Sequence, residues 1–570
     1  MPHTPPDIVY DVDDIPPPPT LVTLGLQHVF VIVISLILPV LIAREVGLSD
    51  KEAGYFVSMS MLASGIGTCL QAWKYKGIIG SGYLCPCVCG PAYLSSSVLA
   101  VKNGGLSLLF GMTALTGVFQ VGLSRVIGRL RVLFPVEVTG VVVIMVGISI
   151  IPFTLPLFLS IGTTDPVVAQ KEILVAIVTF AIILSFTIWG KGMGRLFPAL
   201  IGIVSGYALS AALGIIDIST YQAFDTAPLF AVPDLSYFGV SFSPALLIPF
   251  VVATICSSFK NVGDISICQK AGDLDWKRPD FSSISNGILS DGITTTVGGL
   301  LGGVGQSSSS ANIGLALATR AISRYIAFAA GGILIFLAFF PKIATVFLVM
   351  PSPVMGAALI YMGSFMIVAG FGILTSRMMD ARKTFVIGVS LMFGIGAYIL
   401  PDAFSHVDPL ISPLFESGLA IATILAICLN MIVRIGVGKE ETLVLSTTDP
   451  ISDRVFAYME MAGEIFGARR EVIAQASHAV SQACDALVDF GLSKSDIRIT
   501  TRFDDLNLDI AIRYTGDTLP LPTYCPSEKE ILEDDAAMKN LAGFLIRNYV
   551  DSIQSACKNG DCTVSIHYDH

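Results

Sequence analysis

Lys260 and Asp264 stand four residues apart in the run Ser258-Phe259-Lys260-Asn261-Val262-Gly263-Asp264, inside an otherwise apolar stretch. On a helix that spacing puts an ammonium and a carboxylate on one face. An ionisable group within an apolar span costs about 2.5–3.5 kcal/mol on insertion scales and marks a functional site by default. Two roles fit Lys260: contact with a bound ligand, or neutralisation by Asp264 or by Asp291, a second acid in an apolar run. Asp264 and Asp291 are placed either to exchange a coupling proton or cation, or to close an ion pair or cap a helix. Gln27-His28 adds a side chain able to titrate near neutral pH, although a His beside Gln inside a span reads first as a bridge between helices.

The other chemically unusual stretch is Gly303 to Arg324, where Gly303 and Gly305 lead into four serines, Ser307 to Ser310, and then a short helical pattern from Ala311 to Arg320. Extended backbone at membrane depth is tolerated only where protein or a water-filled pocket satisfies its polar groups. Ser310, Ala311, Asn312 and Gly314 therefore sit where a half-helix presents backbone donors, and Gly314 has no Cβ to hold a ligand away. Thr319 and Arg320 close this stretch and read as residues that gate or pack. Cys85, Cys87 and Cys89 lack the spacing of a zinc site and read as small packing residues.

The elements that must hold these groups follow from composition. The chain has 570 residues, 53% hydrophobic and 14% charged, with a mean hydropathy of +0.74. Soluble chains carry roughly 25% charged residues, so this is a polytopic membrane protein. The segment Val437 to His570 holds 22 of the 44 acids and 12 of the 34 bases, a balance of −10, and leaves the remainder neutral. That acidity belongs to a separate solvated domain, and no clustered cations suggest nucleic-acid binding. Residues 1–20, acidic and proline-rich, read as a disordered leader rather than a signal peptide.

Apolar runs long enough to cross a bilayer are Leu21–Ala43, Ala53–Trp73, Tyr83–Val101, Gly105–Val126, Val132–Phe153, Ile173–Gly190 and Arg195–Leu213. After a polar break come Phe242–Ile265, Ile284–Gly302, Ala311–Ala321, Tyr325–Phe340, Val354–Leu374, Phe385–Leu400 and Leu410–Val433. Lys74, Lys76, Arg125, Arg129, Arg131, Lys191, Arg195, Lys270, Lys277, Arg278, Arg320, Arg324, Arg377, Arg382 and Lys383 fall on one side of this count. By the positive-inside rule that side is cytoplasmic, as are both termini. Seven plus seven spans form an inverted repeat, residues 21–214 and 242–434, within a membrane domain of 21–436. The third span, through Gly80 to Leu94, and the tenth are both broken. Matching interruptions in two halves point to a transport site at the midplane, where two half-helix N-termini of about +0.5 charge each favour anionic or carbonyl-rich ligands.

Asn312-Ile313-Gly314 followed by Thr319 and Arg320 resembles the signature of the nucleobase–ascorbate transporter family: Gln, Glu or Pro, then Asn-x-Gly, four residues, Thr and a base. Gln27-His28, Gly263-Asp264 and the run from Phe134-Pro135 to Gly140 are similar to further family motifs, and the resemblance covers about Leu21 to Arg434. It implies fourteen spans in a core and a gate domain, an elevator-like dimer, and purine, pyrimidine or ascorbate uptake coupled to protons or sodium, with no cofactor. It also implies that Tyr93 stacks on the substrate. Two positions depart from the family. Ala311 stands where most members carry a base-contacting Gln or Glu, and Lys260 aligns with the substrate-binding Glu. A carboxylate accepts hydrogen bonds and an ammonium only donates, so the expected substrate is an anionic purine such as urate or the xanthine anion. Another small organic anion of carboxylate type, carried by a site like that of the similarly folded sulfate permeases, and a purine-sensing receptor signalling through the tail are the alternatives. No nucleophile–base or metal constellation suggests an enzyme.

In residues 437–570, Ser452–Phe490 predicts two helices, Asp496–Phe503 and Leu506–Tyr514 predict paired strands turning at Asp504-Asp505, Ser527–Cys557 predicts a helix and Thr563–Tyr568 a closing strand. This order resembles the histidine-kinase-like ATPase fold. Gln482 and Ala486 replace its Glu and Asn, and Tyr514-Thr515-Gly516 its Asp-x-Gly, which implies a degenerate nucleotide site and a regulatory or dimerising role. The expectation is thus an all-α polytopic membrane protein with a soluble cytoplasmic α+β domain, in the bacterial inner membrane.

Overall fold

The computed structural model describes residues 5–569 apart from 7, 75–76, 131–134, 192–193, 195–196, 217–224, 226–227, 233–238, 275, 277–278, 380, 401–414, 416, 434–439, 447–449, 505–506, 527–534 and 559. Lys76, Arg131, Arg195, Lys277, Arg278 and Asp505 lie outside the described residues, as do most of the polar break and the start of the last expected span. Two compact units divide the chain, Met1–Gly372 with Ile387–Cys428, and Ile373–Val386 with Leu429–His570. The second unit thus begins earlier than the expected boundary at 437 and takes in a separate short segment.

The first unit opens with α1 (Pro18–Ile32), α2 (Ile37–Glu45) and α3 (Asp50–Ala72). Ser49 and Glu52 start α3 with reciprocal side-chain caps. A three-residue strand β1 (Cys87–Cys89) precedes α4 (Leu94–Leu130). Non-helical Gly104 and Gly105 divide α4 in two, close to where hydropathy separates the third and fourth spans. Then follow α5 (Val136–Ser149), α6 (Ile151–Phe158), α7 (Pro166–Trp189), α8 (Pro198–Ala212), α9 (Leu247–Ala271) and α10 (Phe281–Leu301). A second short strand, β2 (Gln306–Ser308), leads into α11 (Ser310–Thr319). The unit continues with α12 (Arg324–Ala338), α13 (Pro341–Leu348), α14 (Ser352–Leu374), α15 (Ala381–Ile399) and α16 (Gly418–Val433), the last three crossing the division between units. Among the described residues eight helices are long and apolar enough to span a membrane, nine if α12 and α13, bent by 89°, count as one. Helices α8, α11 and α16 are apolar but shorter, the expected third and fourth spans run together as Pro91–Gly128, and α10 is not among the eight, which together bring the described spans below the expected fourteen.

Helices α4 and α10 meet backbone to backbone. A Cβ at Gly117 would fall 2.4 Å from the Thr296 nitrogen, and one at Gly299 2.5 Å from the Ala114 nitrogen. Close approach of this kind is what small residues allow between helices in a membrane. It fixes α10, and with it Asp291, against the rest of the unit.

The expected disordered leader is ordered where described. Val9 and Tyr10 donate to the Arg320 carbonyl, and α1 starts within it at Pro18.

In the second unit β3 (Glu440–Leu445) is followed by α17 (Ile451–Phe466), α18 (Arg470–Asp489), β4 (Ile497–Phe503), β5 (Asn507–Thr515), α19 (Asp535–Asn548), β6 (Ser552–Lys558) and β7 (Asp561–Asp569). The strands form one antiparallel sheet ordered β3-β4-β5-β7-β6. Ile497, Ile499 and Phe503 alternate inward into a core with Val455, Met459, Val480 and Leu487. Two expectations are corrected. The helix expected to Cys557 ends at Asn548, and Ser552–Lys558 is a strand because it hairpins onto β7, with Cys557 disulfide-bonded to its register partner Cys562. The edge strand Glu440–Leu445 is an addition to the expected order.

Candidate functional site

The two broken spans meet directly. Strands β1 and β2 pair antiparallel, Cys87 opposite Ser308, Val88 opposite Ser307 and Cys89 opposite Gln306. Gly90 donates to the Gly305 carbonyl at 2.8 Å, and Ser309 to the Pro86 carbonyl at 2.9 Å. Backbone groups that leave the helical pattern thus satisfy each other, as the apolar surroundings require. From this crossing, α4 and α11 depart as half-helices. Tyr93, almost fully buried, lies at the start of the first and donates to Thr254 Oγ1 at 3.3 Å. A Cβ at Gly305 would meet the Tyr93 ring at 2.6 Å, so β2 runs flat against the aromatic face.

Helix α9 brings Lys260 and Asp264 to the same crossing. Lys260 Nζ lies 2.8 Å from Asp264 Oδ2 and donates to the Ser308 carbonyl at 2.5 Å. Asp264 also accepts from Ser308 Oγ at 2.5 Å and Ser310 Oγ at 2.7 Å. With side-chain exposures of 11% and 6%, the pair is largely withdrawn from solvent. Asp291 on α10 makes a separate cluster: it accepts from Gln71 Nε2 and Asn261 Nδ2, both at 2.7 Å, and from Cys87 Sγ at 3.2 Å. Of the two candidate partners, Asp264 is the one bonded to Lys260.

Two sequence expectations change here. Ser310 reads in sequence as part of the ligand-facing half-helix, but Ser308 and Ser310 spend their hydroxyls on Asp264, and Ser309 Oγ caps α11 by accepting from the Asn312 amide. Asn312 reads the same way. Its Nδ2 donates to Ser309 Oγ at 2.8 Å and its Oδ1 lies 2.8 Å from His28 Nδ1, so His28 carries the proton at Nδ1 and bridges α1 to α11. Gly314 reads as a point of close approach for a ligand, and nothing of the protein lies within 4 Å of a Cβ built there, so the space beside it stays open. Ala311 and Gly314, both exposed, share an open face of α11. The first-turn amides of Ser310 and Ala311 have no intrahelical acceptor and face out of the N-terminal end of α11.

Thr319 bonds back to the Leu315 carbonyl at 2.9 Å, and Arg320 ends the helix in the left-handed region at φ 57°. Gln27 is buried with its Oε1 unpartnered. Gln71, Asn261 and Gln306 are polar groups that sequence reasoning passes over, and Cys87, expected only to pack, also donates to Asp291. Gln306 accepts from Ser64 Oγ at 2.8 Å, and its place beside the serine run is the signal that could have found it. Among the described residues no group of three or more His, Cys, Asp or Glu is placed to hold a metal ion.

With this geometry in place, the relatives are informative. The Xan_ur_permease model, described as the Permease family, matches residues 19–403. The chain belongs to the nucleobase–ascorbate transporter family. It is 30% identical over 431 residues to a Clostridium perfringens protein named as a purine permease, covering 75% of this chain and 93% of the relative. It is 29% identical over 450 residues to the uric acid permease PucJ of Bacillus subtilis, covering 76% and 97%. The xanthine permease XanQ of Escherichia coli is 27% identical over 455 residues, covering 77% and 97%. Among solved structures, the murine anion transporter Slc26a9 in its inward-facing state aligns with TM-score 0.51 and 11% identity, over 78% of this chain and 71% of that one, a likeness of fold alone. The protein is accordingly a multi-pass transmembrane permease, a transporter and not an enzyme. In this setting Lys260 is paired with Asp264 and bonded to the Ser308 carbonyl, and Ala311 presents a methyl group on the open face of α11.

Proposed function

We propose that this permease takes up a purine-type substrate as its anion, with urate or the xanthine anion as the class, by secondary active transport coupled to protons or sodium. The observation that carries the reading is Lys260, held at the crossing of β1 and β2 next to the first turn of α11. Of its three N–H bonds, one faces Asp264 and one the Ser308 carbonyl, which leaves one for a ligand. The names of the relatives support a purine. The lysine where the family carries a carboxylate supports an anionic form of it. Asp291, held by Gln71, Asn261 and Cys87, is bonded to no cation among the described residues and is the better placed coupling residue, with Asp264 tied to Lys260.

In this reading the molecule has fourteen spans in an inverted repeat, both termini in the cytoplasm, and works as an elevator-like dimer in the inner membrane. Residues 437–570 act as a soluble regulatory or dimerising domain. The test is uptake by proteoliposomes of labelled urate, xanthine, uracil and simple carboxylates, compared with a Lys260→Glu variant. The reading expects urate or xanthine flux in the wild type, rising as the purine is ionised, and a shift toward neutral bases in the variant. Saturable binding without flux would point to a sensor, and carboxylate flux alone to the second anion class.

A further inference from the structure

The segment before α1 grips the far end of the ligand-facing half-helix. The last carbonyls of a helix lack intrahelical donors, and here the left-handed Arg320 turns its carbonyl outward. Val9 and Tyr10 donate to it at 2.8 and 3.3 Å. Ile322 then donates to the Tyr10 carbonyl at 2.9 Å and Arg324 to the Val12 carbonyl at 3.0 Å. Tyr10 and Ala321 form a parallel bridge, so residues 9–12 lie as an added strand along 320–324. Ile8, Tyr10 and Val12, alternate residues on one side of that strand, pack on a cluster that includes Ala316, Ala321 and Ile326. Asp13 pairs with Arg324 at 2.8 Å, and the Asp14 carbonyl accepts from Ser323 Oγ, the residue that caps α12.

Prolines 16 to 19 follow, and α1 starts at Pro18 and carries the chain to His28, whose Nδ1 bonds Asn312 at the opposite end of α11. Ten residues of α1 rise about 15 Å and the eight from Asn312 to Arg320 about 12 Å, at 1.5 Å per residue. One continuous stretch, Val9 to His28, therefore holds α11 at both ends like a splint.

We propose that Val9–Asp14 are positioning residues for the transport site. They fix α11 along its axis, and so set where the Ser309–Asn312 turn stands relative to Lys260 and Asp264. They stay attached to α11 through the transport cycle. The inference rests on the reading of α11 as the ligand-facing half-helix. A segment that only sealed a surface would alter the amount of folded protein. One that positions α11 alters apparent affinity.

The experiment uses the full-length protein with Val9→Pro, which removes the N–H bonded to Arg320, and Tyr10→Ala, with Val9→Ala and Tyr10→Phe as conservative controls. Uptake of labelled urate and xanthine, normalised to protein in the membrane, should show KM raised roughly fivefold in Val9→Pro, the scale of one lost hydrogen bond, and also raised in Tyr10→Ala, which strips the ring from the Ala316–Ala321 cluster, with maximal rate nearly unchanged. The controls should restore wild-type KM. Hydrogen exchange at the amides of Ser309–Leu317 should quicken about tenfold in Val9→Pro and not in Val9→Ala, since a lost anchor favours local opening. Cross-linking a Tyr10→Cys/Ala321→Cys double variant should leave flux intact. Unchanged KM and unchanged exchange in both loosened variants overturn the proposal, as does loss of flux on cross-linking. Should the wild type carry no purine, the functional reading falls while the exchange measurement still decides the positioning role. Should Val9→Pro fail to reach the membrane, Tyr10→Ala and the cross-link decide it.

Discussion

Lys260 Nζ sits 2.8 Å from Asp264 Oδ2 on its own helix and 2.5 Å from the carbonyl oxygen of Ser308 on β2, which ties α9 to the second broken span through a single ammonium. Removing one member of such a pair strands the other in apolar surroundings, and loss of the Asp264 carboxylate also weakens the bonds of Ser308 and Ser310. Breaking a buried pair from one side costs on the order of 3–5 kcal/mol, whereas replacing both members is far milder. Lys260→Met and Asp264→Asn should each lower the thermal unfolding midpoint of the detergent-solubilised protein by several degrees. The double variant should recover part of that loss, with a coupling energy of about 1–3 kcal/mol in the double-mutant cycle. Strict additivity would mean that the two groups do not act on each other.

His28 and Asn312 make a second long-range tie, 284 residues apart in sequence and 2.8 Å apart in space. His28→Ala leaves Asn312 Oδ1 buried without its donor, at a cost of about 1–3 kcal/mol. His28→Gln can still supply an N–H. The expected order of stability, read by thermal unfolding, is wild type, then Gln, then Ala, and the uptake KM should follow the same order. If Ala matched Gln in both measurements, the bridge would carry no weight.

These two ties mark the border between what is legible in the chain and what is not. The i, i+4 spacing alone places Lys260 and Asp264 on one helical face. Glycine, proline and serine inside apolar runs likewise announce the broken spans, because only such residues leave a helix at membrane depth without clash. The direction of the serine hydroxyls is the harder matter. Ser308 and Ser310 share a face by the two-residue period of extended chain, and that face meets Asp264. Which face meets what depends on the pairing of β1 with β2, contacts more than 200 residues apart. The Asp291 cluster has the same origin: Gln71 is 220 residues from it in sequence. The order at Val9–Asp14 is hidden because acids and prolines describe a chain that cannot build its own core, whereas this one borrows the core of α11 and α12. In the second unit, alternation is enough for β4 and β5. The strand at 552–558 resists the same reading because it exposes most of its side chains, with only Ile553 and Ser555 partly inward and none buried.

At the C-terminal sheet, His567 and Asp509 face each other across β5 and β7, with Nδ1 2.7 Å from Oδ1. The hydrogen bond to Asp509, opposed by desolvation and aided by the charges of Asp509 and Asp569, raises the His567 pKa above its usual 6.5. A folded-state pKa above the unfolded one gives stability that is complete below about 6.5 and is lost as pH rises through the higher value. The pair is partly exposed and solvent-screened, so the effect is under about 1 kcal/mol. Thermal unfolding of the full protein and of His567→Asn, followed from about pH 5 to about pH 9, should show the wild type ahead at low pH and the difference gone at high pH. A gap that widened with pH would contradict the pairing.

Two glycines near the crossing separate packing from ligand contact. A Cβ at Gly305 would meet the Tyr93 ring at 2.6 Å, while one at Gly314 would meet nothing within 4 Å. Gly305→Ala must therefore push the ring or β2 aside, a strain of about 1–3 kcal/mol, with lowered stability and impaired uptake together. Gly314→Ala lies in a helix interior, where alanine is favoured over glycine by up to about 1 kcal/mol, so the protein should unfold at an equal or higher temperature. If the open face of α11 is where the substrate lies, Gly314→Ala raises the uptake KM although the protein is no less stable, because the added methyl group occupies space that only a ligand would fill. Unchanged KM in Gly314→Ala, alongside a stable protein, would move the ligand off that face.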